Sequence, residues 1–172
     1  MSDFFDAVAE DRDPIKKLLS RIPGFKGYIE RSDRRQSDKL LRETIANEYE
    51  TQYQRISGLQ RALISQGGLA YIDDLENASI KLRQFIDRVR TASYGYAGLF
   101  DAIKIKEEEL SAIYQYDAAL LEKVNTVSAA IDNVDASIGT DGLPASIRNL
   151  ISVSQECVDI FNKRSEAFKG LA

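Results

Sequence analysis

One seam of apolar residues, running from Leu99 to Ile138, constrains the fold of this chain more than any other feature. Its members alternate at intervals of three and four, a period of 3.5 residues that predicts a long helix with coiled-coil-like, heptad packing on other helices. No proline or glycine interrupts the seam after Gly98. At 1.5 Å per residue, a helix of this length spans about 60 Å and favours an elongated architecture. The apolar members are Leu99, Ile103, Leu110, Ile113, Leu120, Val124, Val127, Ile131, Val134 and Ile138, and Lys106 and Asp117 fill the two polar positions.

The composition of the chain narrows the classes of function that we expect for it. Histidine is absent from the 172 residues, so the commonest general base and the commonest metal ligand are both missing. We therefore expect a protein that is not an enzyme and that needs no cofactor and no metal. The net charge of −4 argues against a general nucleic-acid binder. No apolar run approaches the ~18 residues of a membrane span.

The single cysteine, Cys157, carries information about compartment and reactivity. One cysteine excludes an internal disulfide and fits a reducing environment, so we predict a cytoplasmic location. Cys157 falls on an apolar helix face without a basic neighbour, which predicts a buried and unreactive thiol.

The order of helices follows from periodicity and from turn residues. A short amphipathic helix begins at Pro14 and ends at Pro23-Gly24. Gln66-Gly67-Gly68 predicts a tight turn, and so short a connection makes the two helices that it joins antiparallel neighbours. The run from Gly139 to Pro144 predicts a second turn. The long helices that we predict span residues 30–66, 69–93, 99–138 and 144–169.

Two glycines, Gly95 and Gly98, leave the connection between the second and third of these helices open. If they form a hinge, the chain is an all-α, elongated antiparallel bundle of four main helices plus the short N-terminal helix. If the helix continues through them, residues 69–138 form one rod that is paired by the helices on either side. We favour the four-helix bundle, because it buries its own seams. We divide the chain into an N-terminal arm with its short helix, residues 1–28, and a single bundle domain, residues 29–172.

The N-terminal segment is basic and amphipathic. Residues 14–28 carry Lys16, Lys17, Arg21 and Lys26 and no acid. A basic helix with an apolar face can dock on an anionic membrane surface. Alternatively, its apolar residues cap one open end of the bundle while the cations stay in water, and we favour this second interpretation.

A basic stripe marks the start of the next helix. Arg31, Arg35, Lys39 and Arg42 recur at helical spacing and are candidate contacts for an acidic partner or for nucleic-acid phosphates. However, Asp38–Arg42 and Lys39–Glu43 are ready helical ion pairs that reduce the positive field, which favours a solvated helix end. We list these four residues as candidate partner contacts.

Polar residues inside the seams are candidates for a structural role. Lys106 and Asp117 can fix the register of the bundle if they are buried, or they can lie at the edge of the seam. Ser154 and Arg164 interrupt the seam of the last helix in the same way. The aromatic and glycine-rich segments 25–28 and 94–100 can line a ligand pocket, although packing at a helix crossing is the commoner use of such clusters.

These observations predict a non-catalytic structural or protein-interaction protein that self-associates or binds a protein partner. The alternative is a peripheral membrane adaptor that docks on anionic lipid through residues 1–28.

Overall fold

The computed structural model describes residues 14–30, 34–92 and 107–170, and within these ranges the chain consists of helices and the turns that join them. The predicted all-α bundle is therefore confirmed. A 3-10 turn at Leu69–Tyr71 separates the third helix from the fourth. The helices are α1 (Pro14–Arg21), α2 (Phe25–Glu30), α3 (Arg34–Ser65), α4 (Ile72–Thr91), α5 (Glu107–Ser137) and α6 (Leu143–Gly170).

The predicted turn at Gln66-Gly67-Gly68 ends α3 through backbone hydrogen bonds. The Gly68 N–H donates to the Leu63 carbonyl at 2.7 Å, and the Gly67 N–H donates to the Ile64 carbonyl at 3.4 Å. Gly67 has a φ of +80°, the left-handed conformation that closes this type of helix end. The turn satisfies the last carbonyls of α3 and lets α4 return beside it.

We expect Gly67→Ala to lower the free energy of unfolding by about 1 kcal/mol, because alanine is strained at positive φ. A Cβ at Gly67 meets no atom within 4 Å, so the effect is one of backbone conformation alone. Gly58, inside α3, is the matched control: a Cβ there also meets nothing within 4 Å, and its φ is not positive. Gly58→Ala should therefore stabilise the helix by up to ~1 kcal/mol. Urea titration of both variants measures the difference, and equal effects of the same sign would contradict this account of the turn.

Contacts made by side chains give the direction of each neighbouring pair of long helices. In the pairs α3/α4 and α5/α6 the contacting residues run in opposite order, so these helices are antiparallel. In the pairs α3/α5 and α4/α6 they run in the same order, so these helices are parallel. The contacts between α3 and α4 are Glu50–Arg83 and Gln60–Glu76, and those between α5 and α6 are Asp117–Arg164 and Lys123–Glu156. The contacts between α3 and α5 are Tyr49–Leu120 and Arg55–Ser128, and those between α4 and α6 are Lys81–Gln155 and Arg88–Asn162.

The long helices therefore alternate in direction along the chain, and consecutive α4 and α5 occupy diagonally opposite corners. This arrangement excludes the alternative in which residues 69–138 form one rod. In such a rod, Lys81 and Lys123 would be separated by about 63 Å. Instead they contact Gln155 and Glu156, which are adjacent on α6. The predicted hinge glycines Gly95 and Gly98 lie outside the described residues.

The helix faces predicted to be apolar form the core. In α5, Ile113, Leu120, Val124, Val127, Ile131 and Val134 of the predicted seam are all buried. The other three long helices bury their predicted faces in the same way. The buried residues include Leu41, Ile45, Tyr49, Ile56, Leu59 and Leu63 in α3; Leu75, Leu82, Ile86 and Val89 in α4; and Ile147, Leu150, Cys157 and Phe161 in α6. The heptad geometry of the packing stays a prediction.

The short helices α1 and α2 lie on the flank of the bundle, and not across an open end as we expected for α1. Leu18, Ile22 and Phe25 are buried and belong to the same core as the long helices. Arg21 donates to the Leu121 carbonyl and to Glu48, which are near the midpoints of α5 and α3. The division of the chain at residue 28 stays a prediction.

None of the helices within the described ranges has the length and apolarity needed to cross a membrane.

Candidate functional site

Four charged side chains meet inside the bundle, and we call Asp38, Arg42, Asp117 and Arg164 the charge cluster. Arg164, on α6, is fully buried and donates from Nε to Asp117 Oδ1 on α5 at 2.6 Å. Its Nη2 donates to Asp38 Oδ1 on α3, also at 2.6 Å. Bonds this short are typical of charge-assisted hydrogen bonds. One guanidinium therefore joins three helices at a single level of the bundle.

Arg42 extends the charge cluster to the fourth long helix. Its Nε donates to Asp38 Oδ2 at 2.7 Å, so the Asp38 carboxylate lies between two arginines. Its Nη1 lies 3.3 Å from the carbonyl oxygens of Val89 and Arg90 and donates to both. These carbonyls belong to the last turn of α4, where helical partners are missing and the helix dipole is negative. Arg42 thus caps α4 from inside the bundle.

The protonation of the charge cluster is set by burial and by mutual attraction. Burial raises the pKa of Asp117, and the guanidinium of Arg164 opposes that rise. Burial alone would lower the pKa of Arg164, but the carboxylates of Asp117 and Asp38 together raise it above its ordinary value. The two carboxylates therefore favour the charged form of Arg164. The charge cluster contains two carboxylates and two guanidiniums, so its formal charges cancel.

The arrangement suits a structural role. Buried charges are tolerated when they are paired and hydrogen-bonded, and they favour the one helix register in which the partners meet. The four side chains are each at least 95% buried and directed at one another, so the cluster joins helices and presents no reactive group to solvent.

Asp117 is buried inside the seam, which is one of the two positions that we predicted for it, the other being the edge of the seam. Lys106 lies outside the described residues. Arg164 also interrupts an apolar face, as the sequence indicates, but its spacing along the chain does not pair it with Asp117. The signal was available: two residues of opposite charge interrupt two seams that must face the same core.

One of the four candidate partner contacts is wrong. Arg42 is only 4% exposed and is committed to Asp38, so it cannot contact a partner at the surface. Asp38 is buried as well, so the start of α3 is solvated on one face only, and the solvated helix end that we favoured is wrong for Asp38 and Arg42. The Asp38–Arg42 pair itself is confirmed; its i,i+4 spacing is the same whether the pair is in water or in a core.

The other residues of the predicted basic stripe lie at the surface or outside the described ranges. Arg35 and Lys39 are exposed, and Lys39 lies 3.9 Å from Glu43, the ion pair that the spacing predicts. Arg31 lies outside the described residues. The role of Arg35 and Lys39 as partner contacts stays a prediction.

The four candidate cations of the N-terminal segment have unequal environments. Lys16 and Lys26 are exposed. Lys17 is exposed and forms an ion pair with Glu122 of α5. Arg21 is half-buried and bonds Glu48 at 2.7 Å. Two of these cations therefore help to fasten α1 to the bundle.

A cleft of about 350 Å³ lies between α1 and α5. Leu18, Ala118 and Leu121 provide its apolar walls. The two cations that line it, Lys17 and Arg21, are each paired with a carboxylate, so the cleft is balanced in charge. It is not the predicted pocket of segments 25–28 and 94–100, and the second of those segments lies outside the described residues.

Comparisons with protein-family models, with curated proteins and with solved structures yield no match. Inferences about function therefore depend on the residues themselves. Within the residues that the structure describes, no group of three or more cysteine, aspartate and glutamate side chains could hold a metal ion. The expectation that the protein needs no metal stays a prediction.

A second ion-pair group, which sequence reasoning missed, joins α3 to α4 near the surface. The Glu50 carboxylate accepts hydrogen bonds from Arg83 at 2.9 and 3.1 Å and from Arg90 at 3.1 Å. The bond from Arg83 is the main cause that lowers the pKa of Glu50. The Arg83 guanidinium also lies 4.0 Å from the centre of the Tyr53 ring. This group holds Arg83 and Arg90 against the bundle.

Tyr49 and Cys157 form a buried neutral pair in the core. The Tyr49 hydroxyl donates to the Leu120 carbonyl at 2.7 Å, and the Cys157 sulfur lies 3.5 Å from the Tyr49 oxygen. Burial raises the pKa of Cys157 to about 11, and it also raises the pKa of Tyr49 well above its ordinary value. The thiol is thus buried, as predicted, and it resists ionisation.

The same pair predicts a loss of stability at alkaline pH. Because the pKa of Cys157 is raised on folding, its contribution is complete below pH 9 and is lost as pH rises toward about 11. A shift of this size corresponds to about 2–3 kcal/mol, and Tyr49 adds a loss above its ordinary pKa of 10. Urea titrations between pH 8 and pH 11 should show this decline. Cys157→Ala should flatten it, and an unchanged slope would contradict the assignment.

Proposed function

We propose that this chain is a non-catalytic helical-bundle protein of the cytoplasm that works by protein–protein interaction, with a second copy of itself or with another protein. One observation carries the proposal. Two large apolar side chains at the α3–α4 turn face solvent, Ile64 at 55% exposure and Leu69 at 66%. They lie on either side of Gln66-Gly67-Gly68, at an end of the bundle. Neighbouring exposed apolar residues are typical of interaction sites.

The buried charges support the same proposal. The charge cluster joins all four long helices at one level, and its side chains are directed at each other. A rigid bundle of defined register is a suitable support for a docking surface, because little conformational freedom is lost when a partner binds. The single cysteine, buried as a free thiol, fits a reducing cytoplasm.

Docking on anionic lipid through the N-terminal segment is the competing function. Leu18 of α1 and Ile22, directly after α1, are buried against the bundle, so lipid insertion would require α1 to leave the core. Lys16 and Lys26 are exposed, and in the present arrangement they could offer only electrostatic attraction. We therefore favour protein interaction.

Recovery of partners at native expression tests the proposal. The tagged full chain should recover a specific protein, or untagged copies of itself, in stoichiometric amounts. Ile64→Glu/Leu69→Glu should abolish recovery, because it places charge on the proposed surface. Ile80→Glu is the matched control, since Ile80 is also exposed, at 48%, but lies farther along α4. Equal recovery by all three proteins would contradict a surface at the turn.

Sedimentation with vesicles separates the competing function. The full chain should stay in the supernatant with vesicles that contain phosphatidylserine. Sedimentation that is abolished by Lys16→Glu/Lys26→Glu would instead favour the membrane adaptor and overturn the proposal.

A further inference from the structure

The exposed apolar pair Ile64 and Leu69 lies in an acidic part of the surface. We call residues 61–76 and 135–148 the turn end, because α3 and α5 both finish there and α4 and α6 both begin there. The turn end carries five acidic and two basic residues, a net charge of −3. All seven are exposed: Arg61, Asp73, Asp74, Glu76, Asp135, Asp141 and Arg148. The apolar pair is therefore flanked by an excess of negative charge.

The carboxylates of the turn end are not used in ion pairs within the described part of the chain. None of the five lies within ion-pair distance of a cationic nitrogen there. Glu76 accepts a hydrogen bond from the side-chain amide of Gln60, which is neutral. By contrast, Asp132, three residues before Asp135 and outside the turn end, pairs with Arg55. The negative charge of the turn end thus remains after internal pairing.

Part of this charge opposes the dipole of the helix that carries it. A helix favours carboxylates in its first turn and cations in its last turn. Asp73 and Asp74 lie in the first turn of α4, where they are favourable. Asp135, however, lies in the last turn of α5, and neither α5 nor α3 has a basic residue in its last turn. A cation supplied by another molecule is therefore favoured near the ends of α3 and α5.

A second copy of this chain is a poor partner for the turn end. Two turn ends carry charge of the same sign, so a symmetric contact between them would bring like charges together. The basic N-terminal segment of another copy is no better match, because Lys17 already pairs with Glu122 and Arg21 with Glu48. The charges of the described residues therefore favour a different protein.

We propose that the turn end binds a basic segment of another protein that carries apolar side chains beside its lysines or arginines. This partner class rests on the proposed interaction function. Ile64 and Leu69 contact the apolar side chains of the partner, and the surrounding carboxylates pair with its cations. Burial of the apolar pair supplies affinity. Charge around it mainly raises the rate of association and discriminates against acidic partners.

Two labelled peptides test the chemistry of the partner by fluorescence anisotropy with the full chain. Each is an amphipathic helix of about 14 residues, or four turns, with leucine on one face. The first carries lysine on its other face, and the second carries glutamate at the same positions. The lysine peptide should bind at about 50 mM salt and weaken at about 500 mM, where screening is strong. No binding of the lysine peptide, or equal binding of both peptides, would overturn the inference.

Two matched variants test the position of the site. Asp73→Asn/Asp135→Asn should weaken binding of the lysine peptide about 3- to 30-fold, the loss expected for two surface ion pairs. Asp87→Asn/Asp159→Asn is the control, because it changes the net charge equally at exposed positions of α4 and α6. Asp87 lies about 20 Å along α4 from Asp73, so the control should bind like the wild type. Equal weakening of both variants would mean that the peptide responds to net charge alone, which would also overturn the inference. Circular dichroism should show that both variants are folded.

The apolar variant connects this test with the recovery experiment. Ile64→Glu/Leu69→Glu should lose detectable binding of the lysine peptide, and binding at the wild-type level would contradict the proposed contact. If the lysine peptide does not bind the wild type but recovery of a specific protein still depends on Ile64 and Leu69, this inference fails and the proposed function stands. If neither peptide binding nor turn-dependent recovery is found, both proposals fail.

Discussion

Arg164→Met is expected to lower the free energy of unfolding by about 3–5 kcal/mol, because it leaves two buried carboxylates without their shared cation. Arg164 is fully buried and holds Asp117 and Asp38 through bonds of 2.6 Å. Methionine fills a similar volume, so loss of charge pairing exceeds loss of packing. Against a typical total of about 5–15 kcal/mol, a change of this size shifts a urea unfolding midpoint far outside experimental error.

Two further variants make the experiment specific to the charge cluster. Arg148→Met removes an exposed arginine from the same helix and should change stability by less than about 0.5 kcal/mol. Combining Asp117→Asn with Arg164→Met removes one charge of each sign and leaves the Asp38–Arg42 pair in place, so it should recover part of the loss, since an uncharged replacement of a buried ion pair is often tolerated. If Arg164→Met unfolded at the same urea concentration as Arg148→Met, the cluster would not hold the bundle together.

The sequence was sufficient to predict the four long helices, α1 and the faces that these helices bury, but it did not predict α2, where we expected an aromatic connector. Helical periodicity places residues such as Leu120, Val124 and Ile131 on one side of a helix whatever that helix packs against. Gly67, likewise, ends α3 through local backbone geometry alone. Predictions of this kind succeed because they depend on residues that are near one another along the chain.

The pairing of distant residues could not be predicted in the same way. Asp117 and Arg164 were both visible as polar interruptions of apolar seams, but many helix orders and registers are compatible with those seams. Arg42 shows the same limit: its pairing with Asp38 was expected from spacing, yet only the packing of α4, α5 and α6 around it determines that the pair is buried. The position of α1 on the flank also depends on distant contacts, above all those of Arg21 with Glu48 and Leu121.

The burial of the α5 seam leads to the second large expected effect. Leu120 is fully buried, and Val124, one turn later, is 5% exposed. Leu120→Asp or Val124→Asp would place a carboxylate in the core without a cation to pair with, because the arginines of the charge cluster already bond Asp38 and Asp117. We expect each substitution to lower the free energy of unfolding by about 3–5 kcal/mol and to lower the thermal midpoint by about 6–20 °C.

Asn125→Asp is the matched control for both substitutions, because it adds the same charge to α5 at an exposed position directly after Val124. It should alter stability by about 0.5 kcal/mol or less, so a large effect of all three would indicate general charge repulsion and not burial. Calorimetry of the three variants separates these outcomes. A melting temperature within a few degrees of the wild type for Leu120→Asp would mean that the α5 seam does not face the core. The arrangement of the bundle would then need revision, because the same seam positions α5 against α3 and α6.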